Sequence, residues 1–346
     1  MSAWTVFIDR TDLTRAEVLR HDVPAVSGGE ALLRVDRVGL TANNVTYGVF
    51  GDAIGYWNFF PATAPRGIVP VWGFADVVES AVDGLPTGTR VYGYLPMSSH
   101  VVVRPSLDAG GFVDVSEHRT GLPSAYNRYF TTTGDPAYVA EHEDLQMLYR
   151  PLFYTSFLLA DQLADNDHHG ARSVVISSAS SKTAFGTAVG LTRTHTVGLT
   201  SPRNAEFTRG LGCYDTVLTY DRITDLPRDP TAYLDFSGSP ELRDALHDHL
   251  GAALVKDISI GLTHQDVRQD PRSEFFFAPS RMRDRIREWG PDGLATRFAA
   301  AWRSLTAQAA EQVRVEHREG PDALVAVWRE VLGGGTRPDR AHVITC

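Results

Sequence analysis

The hydrophobic and polar positions of the first third of the chain predict short β-strands. Residues 31–38 (ALLRVDRV) alternate apolar and polar side chains, as a strand with one buried face does. The same signal recurs at 77–80 and 90–94, around the turn sequence DGLPTGTR, and at 100–104. Strands spaced by turns with little helical pattern predict a barrel-like β domain over about the first 120 residues.

The middle of the chain changes from an irregular segment to a helix. Residues 119–144 are polar and rich in turn formers, so we predict a connecting segment that could act as a lid. Helical spacing begins at Pro151 and ends in the polar turn 165–170. The Asp and His residues of that turn are interpreted as a helix end closed by Gly170, with a metal site as the weaker alternative, because no third ligand follows at a recognisable spacing.

From residue 173 onwards, predicted strands alternate with predicted helices. Buried strands are predicted at 173–177, 196–199, 217–220, 232–236 and 255–260, and helices at 182–192, 204–210 and 240–250. This β-α-β succession is typical of a parallel sheet that binds its ligand at the carboxyl ends of the strands. Two more core-facing helices, at 293–313 and 321–332, precede a terminal HVITC that we predict as a strand at a sheet edge.

The first strand-to-helix turn, SVVISSASSKTAFG, carries candidate chemistry. Serine or alanine occupies the positions where dinucleotide-binding turns usually have glycine. A helix N-terminus binds pyrophosphate through free amides and its dipole, and hydroxyls or a lysine can add to this. The candidate contacts are Ser178, Ser180, Ser181, Lys182 and Thr183. The alternative is a structural turn in which the serines only cap the helix.

The end of the second strand of this region bears on the choice of nucleotide. Enzymes that use NAD usually have an acidic residue there for the ribose 2′-hydroxyl, whereas a 2′-phosphate needs a cation and hydroxyl donors. Here Ser201 and Arg203 follow the strand, and no acid appears before Glu206. The pattern favours NADPH over NADH, with an ordinary turn and an exposed arginine as the alternative.

Length, charge and cysteine content narrow the class of protein. A chain of 346 residues exceeds what one core usually serves, so two domains are expected. A net charge of −9 without a basic block argues against nucleic acid as a partner. The first residues do not have the pattern of a secretory signal, and no window is apolar enough for a membrane span, so a cytoplasmic protein without membrane contact is expected. Cys213 and Cys346 are too few for a disulfide framework or a thiolate zinc site, and Cys213 is interpreted as a small buried hydrophobe.

The order of these parts resembles the medium-chain dehydrogenase/reductase superfamily. The segments GEALLRVDRVGLTANNVTYG, GTRVYGYLP, VVISSASSKTAFG, YLDFSGS and VKDISIGLTH carry the likeness, which is to the zinc-independent quinone oxidoreductase and enoyl reductase branch. LTANNVTYGVFGD, YWNFFPA and EFFFAPSRM resemble the DUF2855 family within reach of that superfamily. The resemblance covers nearly the whole chain.

The resemblance implies an α/β protein with a GroES-like β-rich domain and a Rossmann domain, and an active site in the cleft between them. We expect the GroES-like domain at 1–125, completed by about 266–346, and the NADP-binding domain at 126–265. By the same resemblance, further cofactor contacts fall at Phe236, Ser237, Gly238, Gly261, Thr263 and His264. The cysteine and histidine ligands of the zinc-dependent branch are missing, so no catalytic metal is expected.

Candidate catalytic residues follow from the need for a donor to a carbonyl oxygen that gains negative charge. Asn44 and Tyr47 lie where the superfamily lines its substrate cleft; the alternative is a turn held by the asparagines and a Tyr47 that packs in the core. Four aromatic residues are the candidates for the wall of an apolar substrate pocket: Tyr56, Trp57, Phe60 and Phe276. The alternative is that these side chains only anchor a loop.

Taken together, these observations predict an NADP(H)-dependent, zinc-independent oxidoreductase. It would reduce an activated C=C or C=O of an apolar or aromatic small molecule, with Tyr47 or Asn44 assisting. The alternatives are a non-redox enzyme, such as an elimination or cyclisation in the same cleft, and a non-catalytic cofactor-binding or sensor protein. The sequence leaves the substrate and the oligomeric state open, with a homodimer as one option.

Overall fold

The computed structural model describes residues 2–260, 270–334 and 337–346. In these ranges the strands and helices are β1 (Ser2–Asp9), β2 (Ala16–Asp22), β3 (Ala31–Leu40), α1 (Ala42–Val49), β4 (Arg66–Gly67), β5 (Pro70–Ser80), β6 (Arg90–Pro96), β7 (His100–Val103), β8 (Pro105–Asp108), β9 (Gly111–Asp114), β10 (Arg128–Thr131), α2 (Glu143–Asp165), β11 (Ser173–Ile176), α3 (Lys182–Gly190), β12 (His195–Thr200), α4 (Ala205–Gly210), β13 (Thr216–Thr219), β14 (Thr231–Asp235), α5 (Pro240–Leu250), β15 (Leu254–Ser259), β16 (Glu274–Phe275), α6 (Ala278–Gln312), β17 (Arg314–Glu319), α7 (Gly320–Leu332) and β18 (Arg340–Thr345). They form two compact units: unit 1 is Met1–Leu148 with Val313–Cys346, and unit 2 is Tyr149–Gln312. None of the described helices combines the length and apolar content needed to cross a membrane.

Unit 1 is built on β-sheets. Its large sheet has the strand order β17-β18-β3-β5-β6-β10-β9-β8, with β7 also paired to β3, and a small sheet has the order β2-β1-β4. The predicted strand around 31–38 is the centre of the large sheet. Its Leu33 and Val35 are buried as the alternation requires, and an irregularity in its pairing with β5 between Val35 and Arg37 lets Val38 be buried as well. Helix α7 adds Leu324 and Trp328 to the same apolar core.

Unit 2 contains a parallel sheet with the order β13-β12-β11-β14-β15-β16. The chain order reverses between β11 and β14, which is the point where sheets of this kind bind ligands at the carboxyl ends of their strands. Helix α3 lies so close to α2 that a Cβ added at Gly186 would come within 2.9 Å of the Ser156 hydroxyl. The predicted β-α-β succession is confirmed.

Three predicted elements differ from the structure. Helix α2 begins at Glu143 rather than at Pro151, which lies inside the helix. The segment 119–144 is not wholly a connection, since it contains β10, which pairs with β6 and β9 inside the large sheet. Only Tyr129 of its four residues is fully buried, so its sequence carries little strand pattern. The terminal strand β18 is interior rather than at an edge, because β17 pairs with it on the side away from β3. The strand β17 could not be predicted from hydrophobicity, because its sequence RVEHRE is mostly polar.

The compact units also divide the chain at different points from the expected domain boundaries. Residues 126–148 belong to unit 1, because β10 completes the large sheet. Helix α6 belongs to unit 2, where its Leu294 joins the apolar core around β11, β14 and β15. Such assignments depend on pairing between distant segments, which local sequence does not encode.

Candidate functional site

The turn after β11 keeps the shape of a glycine turn without the glycine. Ser178 has φ +48°, in the left-handed region that favours glycine. Ser181 then caps α3, and its hydroxyl accepts a hydrogen bond from the amide of Ala184 at 3.3 Å. Ser181 therefore caps the helix, as the structural alternative proposes, and Ser178 takes a left-handed conformation that glycine usually supplies.

The N-terminus of α3 presents free donors and a cation. In the described part of the chain, no hydrogen-bond acceptor lies against the amides of Lys182 and Thr183. The Lys182 ammonium lies 5.5 Å from the centre of the Tyr149 ring, and no described carboxylate forms an ion pair with it. Burial lowers the pKa of Lys182 to about 8. A desolvated cation beside open amides is a local environment that attracts an anion.

Three side chains that sequence reasoning missed hold the turn from neighbouring strands. The amide of Ser178 donates to the Tyr220 hydroxyl at 3.1 Å, and the Tyr214 hydroxyl donates to the carbonyl of Ala179 at 2.9 Å. Asn204 donates to the Ser180 hydroxyl at 3.1 Å. The position of Tyr220 at the end of the predicted strand 217–220, at the same sheet edge, is the signal that could have identified it.

A buried polar network fixes the end of β14 next to this turn. Ser177 at the end of β11 donates to the Asp235 carboxylate at 3.0 Å and accepts hydrogen bonds from the amides of Phe236 and Ser237. Asp235 also accepts hydrogen bonds from the amides of Ser237 and Gly238 and from the Tyr233 hydroxyl. Phe236, Ser237 and Gly238 were predicted as cofactor contacts, and the structure places them in the loop that this network shapes.

The predicted 2′-phosphate residues lie at the end of β12. Ser201 follows the strand directly, and its hydroxyl oxygen is buried without a hydrogen-bond partner among the described residues. Arg203 is exposed in the short turn Pro202–Asn204, where no described carboxylate pairs with it. Both donors are therefore unused in unit 2.

Tyr47, the predicted donor of unit 1, lies in α1 rather than in a turn. Asn43, four residues earlier on the same helix face, donates to the Tyr47 hydroxyl at 2.7 Å, and the Trp72 indole donates to it at 3.2 Å. Burial raises the pKa of Tyr47, against the opposing effect of these two donors. The phenol therefore stays protonated at neutral pH.

Tyr47 packs with three other tyrosines, and we call Tyr47, Tyr56, Tyr94 and Tyr126 the tyrosine cluster. Its phenol rings pack with centroid distances of 4.7 Å between Tyr47 and Tyr56, 5.4 Å between Tyr47 and Tyr94, and 4.7 Å between Tyr94 and Tyr126. The Trp72 ring lies 5.0 Å from that of Tyr94. Tyr94 and Tyr126 were not predicted, because one lies within a strand and the other in the segment interpreted as a connection.

Asn44, the other predicted donor, is committed to local structure. Its side-chain oxygen accepts a hydrogen bond from the Thr41 amide at 2.8 Å, which completes the cap of α1. Its amide nitrogen donates to the carbonyl of Pro70 at 3.1 Å. These bonds favour the structural alternative for Asn44, and its catalytic role stays a prediction.

The predicted pocket residues belong to the cores of both units, and their role as a pocket stays a prediction. Tyr56 and Phe60 belong to the core of unit 1 beside the tyrosine cluster, whereas Phe276 belongs to the apolar core of unit 2. The Trp57 ring packs closely on Gly51 and Gly67, with the Arg10 guanidinium 5.6 Å from its centre. Of the four predicted pocket residues, Tyr56 is the one that brings a hydroxyl group to the tyrosine cluster, where its oxygen lies 3.4 Å from that of Tyr126.

The remaining expectations concern metals, thiols and three positions outside the described residues. In the described ranges, no group of three histidine, cysteine or acidic side chains is arranged to hold a metal ion. Burial raises the pKa of the Cys213 thiol to about 12, so the thiol is protonated at neutral pH. Gly261, Thr263 and His264 lie outside the described residues.

Comparison with known proteins gives the family. A family model described as "Protein of unknown function (DUF2855)" matches residues 38–337. The chain belongs to this family. No curated protein sequence matches the chain.

Solved structures share the fold of this DUF2855 protein over its full length. The quinone oxidoreductase from Coxiella burnetii covers 100% of this chain and of its own, with a TM-score of 0.58 and 11% identity. CurA from Vibrio vulnificus in complex with NADPH covers 99% of this chain and 98% of its own, with a TM-score of 0.64 and 12% identity. The CurF ER cyclopropanase of curacin A biosynthesis covers 99% of both chains, with a TM-score of 0.57 and 15% identity. The predicted α/β fold, with a β-rich GroES-like domain and a parallel-sheet Rossmann domain, is therefore confirmed.

Proposed function

We propose that this protein is an NADPH-dependent reductase that needs no zinc. It transfers hydride to an activated C=C or C=O of an apolar or aromatic small molecule. Unit 2 holds the cofactor at the carboxyl ends of β11, β12 and β14, and Tyr47 of unit 1 assists the reaction by donating its hydroxyl proton as a hydrogen bond. Sharing a fold with CurA, which is known in complex with NADPH, supports the choice of cofactor.

The observation that carries this proposal is the N-terminus of α3, which begins at Lys182. The backbone amides of Lys182 and Thr183 are free there, and the desolvated Lys182 ammonium, 5.5 Å from the Tyr149 ring centre, has no counter-ion among the described residues. A pyrophosphate at this point would supply the missing negative charge and accept from both amides. The lysine thereby compensates for a turn in which Tyr220 already occupies the amide of Ser178.

The residues after β12 fit the 2′-phosphate that distinguishes NADPH from NADH. A phosphate has oxygens for both the unpartnered Ser201 hydroxyl and the unpaired Arg203 guanidinium. A 2′-hydroxyl would leave the arginine without a partner and would find no carboxylate before Glu206. We therefore assign Ser201 and Arg203 to the recognition of NADPH.

The cofactor, when bound, supplies the hydride. The chain's own contribution to the chemistry is a donor for the oxygen that becomes negative. Both lone pairs of the Tyr47 oxygen accept hydrogen bonds, from Asn43 and Trp72, so this hydroxyl can act further only by donating its proton. The same two bonds fix the direction of that donation, which is the preorganisation that charge stabilisation requires.

The test is NADPH consumption with a panel of conjugated enones and aromatic aldehydes. We expect turnover with members of this panel, and about 100-fold lower kcat/KM for Tyr47→Phe, because removal of one oxyanion donor costs on this scale. Tyr138→Phe is the matched control, since it removes a hydroxyl that donates to Glu143 outside the tyrosine cluster. No consumption with any substrate, or equal kcat/KM for Tyr47→Phe and wild type, would contradict the proposal.

A further inference from the structure

We propose that Tyr94 is a second hydroxyl donor beside Tyr47, and that these two phenols bind the anionic oxygen of a planar aromatic ligand of the phenolate type. This inference deepens the proposed function, because it concerns the same substrate site in unit 1. It rests on the donor and acceptor balance of the tyrosine cluster rather than on the cofactor.

The first observation is the hydroxyl of Tyr94. Tyr94 is 0% exposed, and its hydroxyl oxygen has no hydrogen-bond partner among the described residues. A buried polar group without a partner destabilises the protein and is rare in native structures. Rings surround Tyr94, with centroids 5.3 Å away for Phe59 and 5.0 Å away for Trp72, so its hydroxyl lies in aromatic rather than polar surroundings.

The second observation is that the Tyr47 hydroxyl has only its proton left to offer. Both lone pairs of Tyr47 are filled by Asn43 and Trp72, and the Tyr94 hydroxyl has no partner among the described residues, so each of the two has a proton for a further acceptor. Tyr56 and Tyr126 lie with their oxygens 3.4 Å apart, so one of that pair can donate to the other. In the hydrogen bonds of the described residues, no carboxylate accepts from these phenols. An acceptor that reaches both hydroxyls would satisfy Tyr47 and Tyr94 together.

The chemistry of the surroundings specifies the acceptor. Neutral phenol donors in a low-dielectric site stabilise a localised negative charge on oxygen strongly, because water does not compete. The buried Arg119 guanidinium lies 4.7 Å from the Phe60 ring centre and is paired with the buried Asp114 carboxylate at 3.3 Å, so the anion is held by the neutral phenol donors. The aromatic walls favour a flat ligand through ring stacking and edge contacts. Tyr126 is only half-buried, and its ring centre lies 4.7 Å from that of Tyr94.

The test uses 4-nitrophenol as the probe, with the full chain and no nucleotide. The absorbance of the 4-nitrophenolate anion reports binding, and 4-nitroanisole provides a probe of similar shape without the anionic oxygen. We expect saturable binding of the phenolate and about 10- to 100-fold weaker binding to Tyr94→Phe, as the loss of one hydrogen bond to a charged group predicts. Tyr138→Phe should bind as the wild type does.

Three results would overturn the inference: no saturable binding to the wild type, equal binding to Tyr94→Phe, or 4-nitroanisole binding as tightly as the phenolate. Thermal unfolding gives a second readout. Tyr94→Phe should melt at the wild-type temperature or above, because it removes an unsatisfied hydroxyl, whereas Tyr129→Phe should melt lower, because the Tyr129 hydroxyl donates to the Tyr94 carbonyl at 2.7 Å. Because this experiment contains no nucleotide, a failure to bind 4-nitrophenolate would contradict the role of Tyr94 without bearing on whether unit 2 binds NADPH.

Discussion

The guanidinium of Arg243 lies 2.7 Å from the carboxylate of Asp235, and both side chains are buried at the carboxyl end of β14. The other oxygen of Asp235 accepts hydrogen bonds from the loop that follows this strand. The ion pair therefore connects α5, which carries Arg243, to the loop assigned to the cofactor. Loss of the Arg243 charge would leave the Asp235 carboxylate buried without a cation, whereas Arg243 itself also lies 3.4 Å from the Asp257 carboxylate.

Arg243→Leu should lower the free energy of unfolding by about 3 kcal/mol, because it leaves the Asp235 carboxylate buried and unpaired. Urea unfolding of the variant measures this change. Arg209→Leu is the control, since Arg209 is exposed on α4, and it should change the free energy by less than about 0.5 kcal/mol. Equal stability of both variants would show that the Arg243 pair contributes little.

Ser178→Gly should raise the free energy of unfolding by up to about 1 kcal/mol, because a non-glycine residue at φ +48° is strained. Ser178→Val should lower it by at least about 1 kcal/mol, since a β-branched side chain tolerates this conformation worst. Thermal melting compares the two variants. A valine variant as stable as the glycine variant would contradict a left-handed backbone at this turn.

Gly186→Ala should destabilise the protein by about 1–3 kcal/mol, because the added methyl group would meet Ser156 and Phe153 where α3 lies against α2. Gly210→Ala is the matched control at another helical glycine, where a Cβ meets nothing within 4 Å. It should be neutral or slightly stabilising. Urea unfolding of both variants distinguishes close packing from helix propensity, and equal effects would argue against the close approach.

The stability of the protein should rise with pH between about 8 and 10.5. Burial lowers the pKa of Lys182 from its ordinary value of 10.5 to about 8, so in this window the unfolded chain binds a proton that the folded chain does not. Lys182→Met should be more stable than the wild type at pH 7, and the difference should shrink as the pH rises. Thermal melting across this range measures it, and a constant difference would exclude a lowered pKa for Lys182.

Binding of NADPH should depend on pH in the opposite direction. The ammonium form of Lys182 binds the pyrophosphate, so the affinity should be highest below about pH 8 and fall at higher pH. Lys182→Arg keeps its charge through this range and should remove the dependence. Nucleotide titrations at pH 7 and pH 9 test this, and an equal loss of affinity in both proteins would assign the dependence to another group.

The sequence predicts the architecture of unit 2 well, because period-2 and period-3.6 patterns and the small residues after β11 are local signals. It predicts β17, β10 and the unit boundaries poorly, because these depend on pairing across long sequence separations. The predicted positions of Lys182, Ser201 and Arg203 rest on strand ends, which topology brings together. The Asp235 network and the tyrosine cluster could not be predicted, since Ser177, Arg243, Tyr94 and Tyr126 come together only through tertiary packing.

The most direct test of the central claim is titration of the purified protein with NADPH and with NADH, followed by nucleotide fluorescence. We predict saturable binding of NADPH, at least about 10-fold weaker binding of NADH, and a loss of about 10-fold in NADPH affinity for both Arg203→Ala and Lys182→Met. Only Arg203→Ala should reduce the preference for NADPH over NADH. Absence of binding by either nucleotide, or equal affinities that neither substitution changes, would contradict the account.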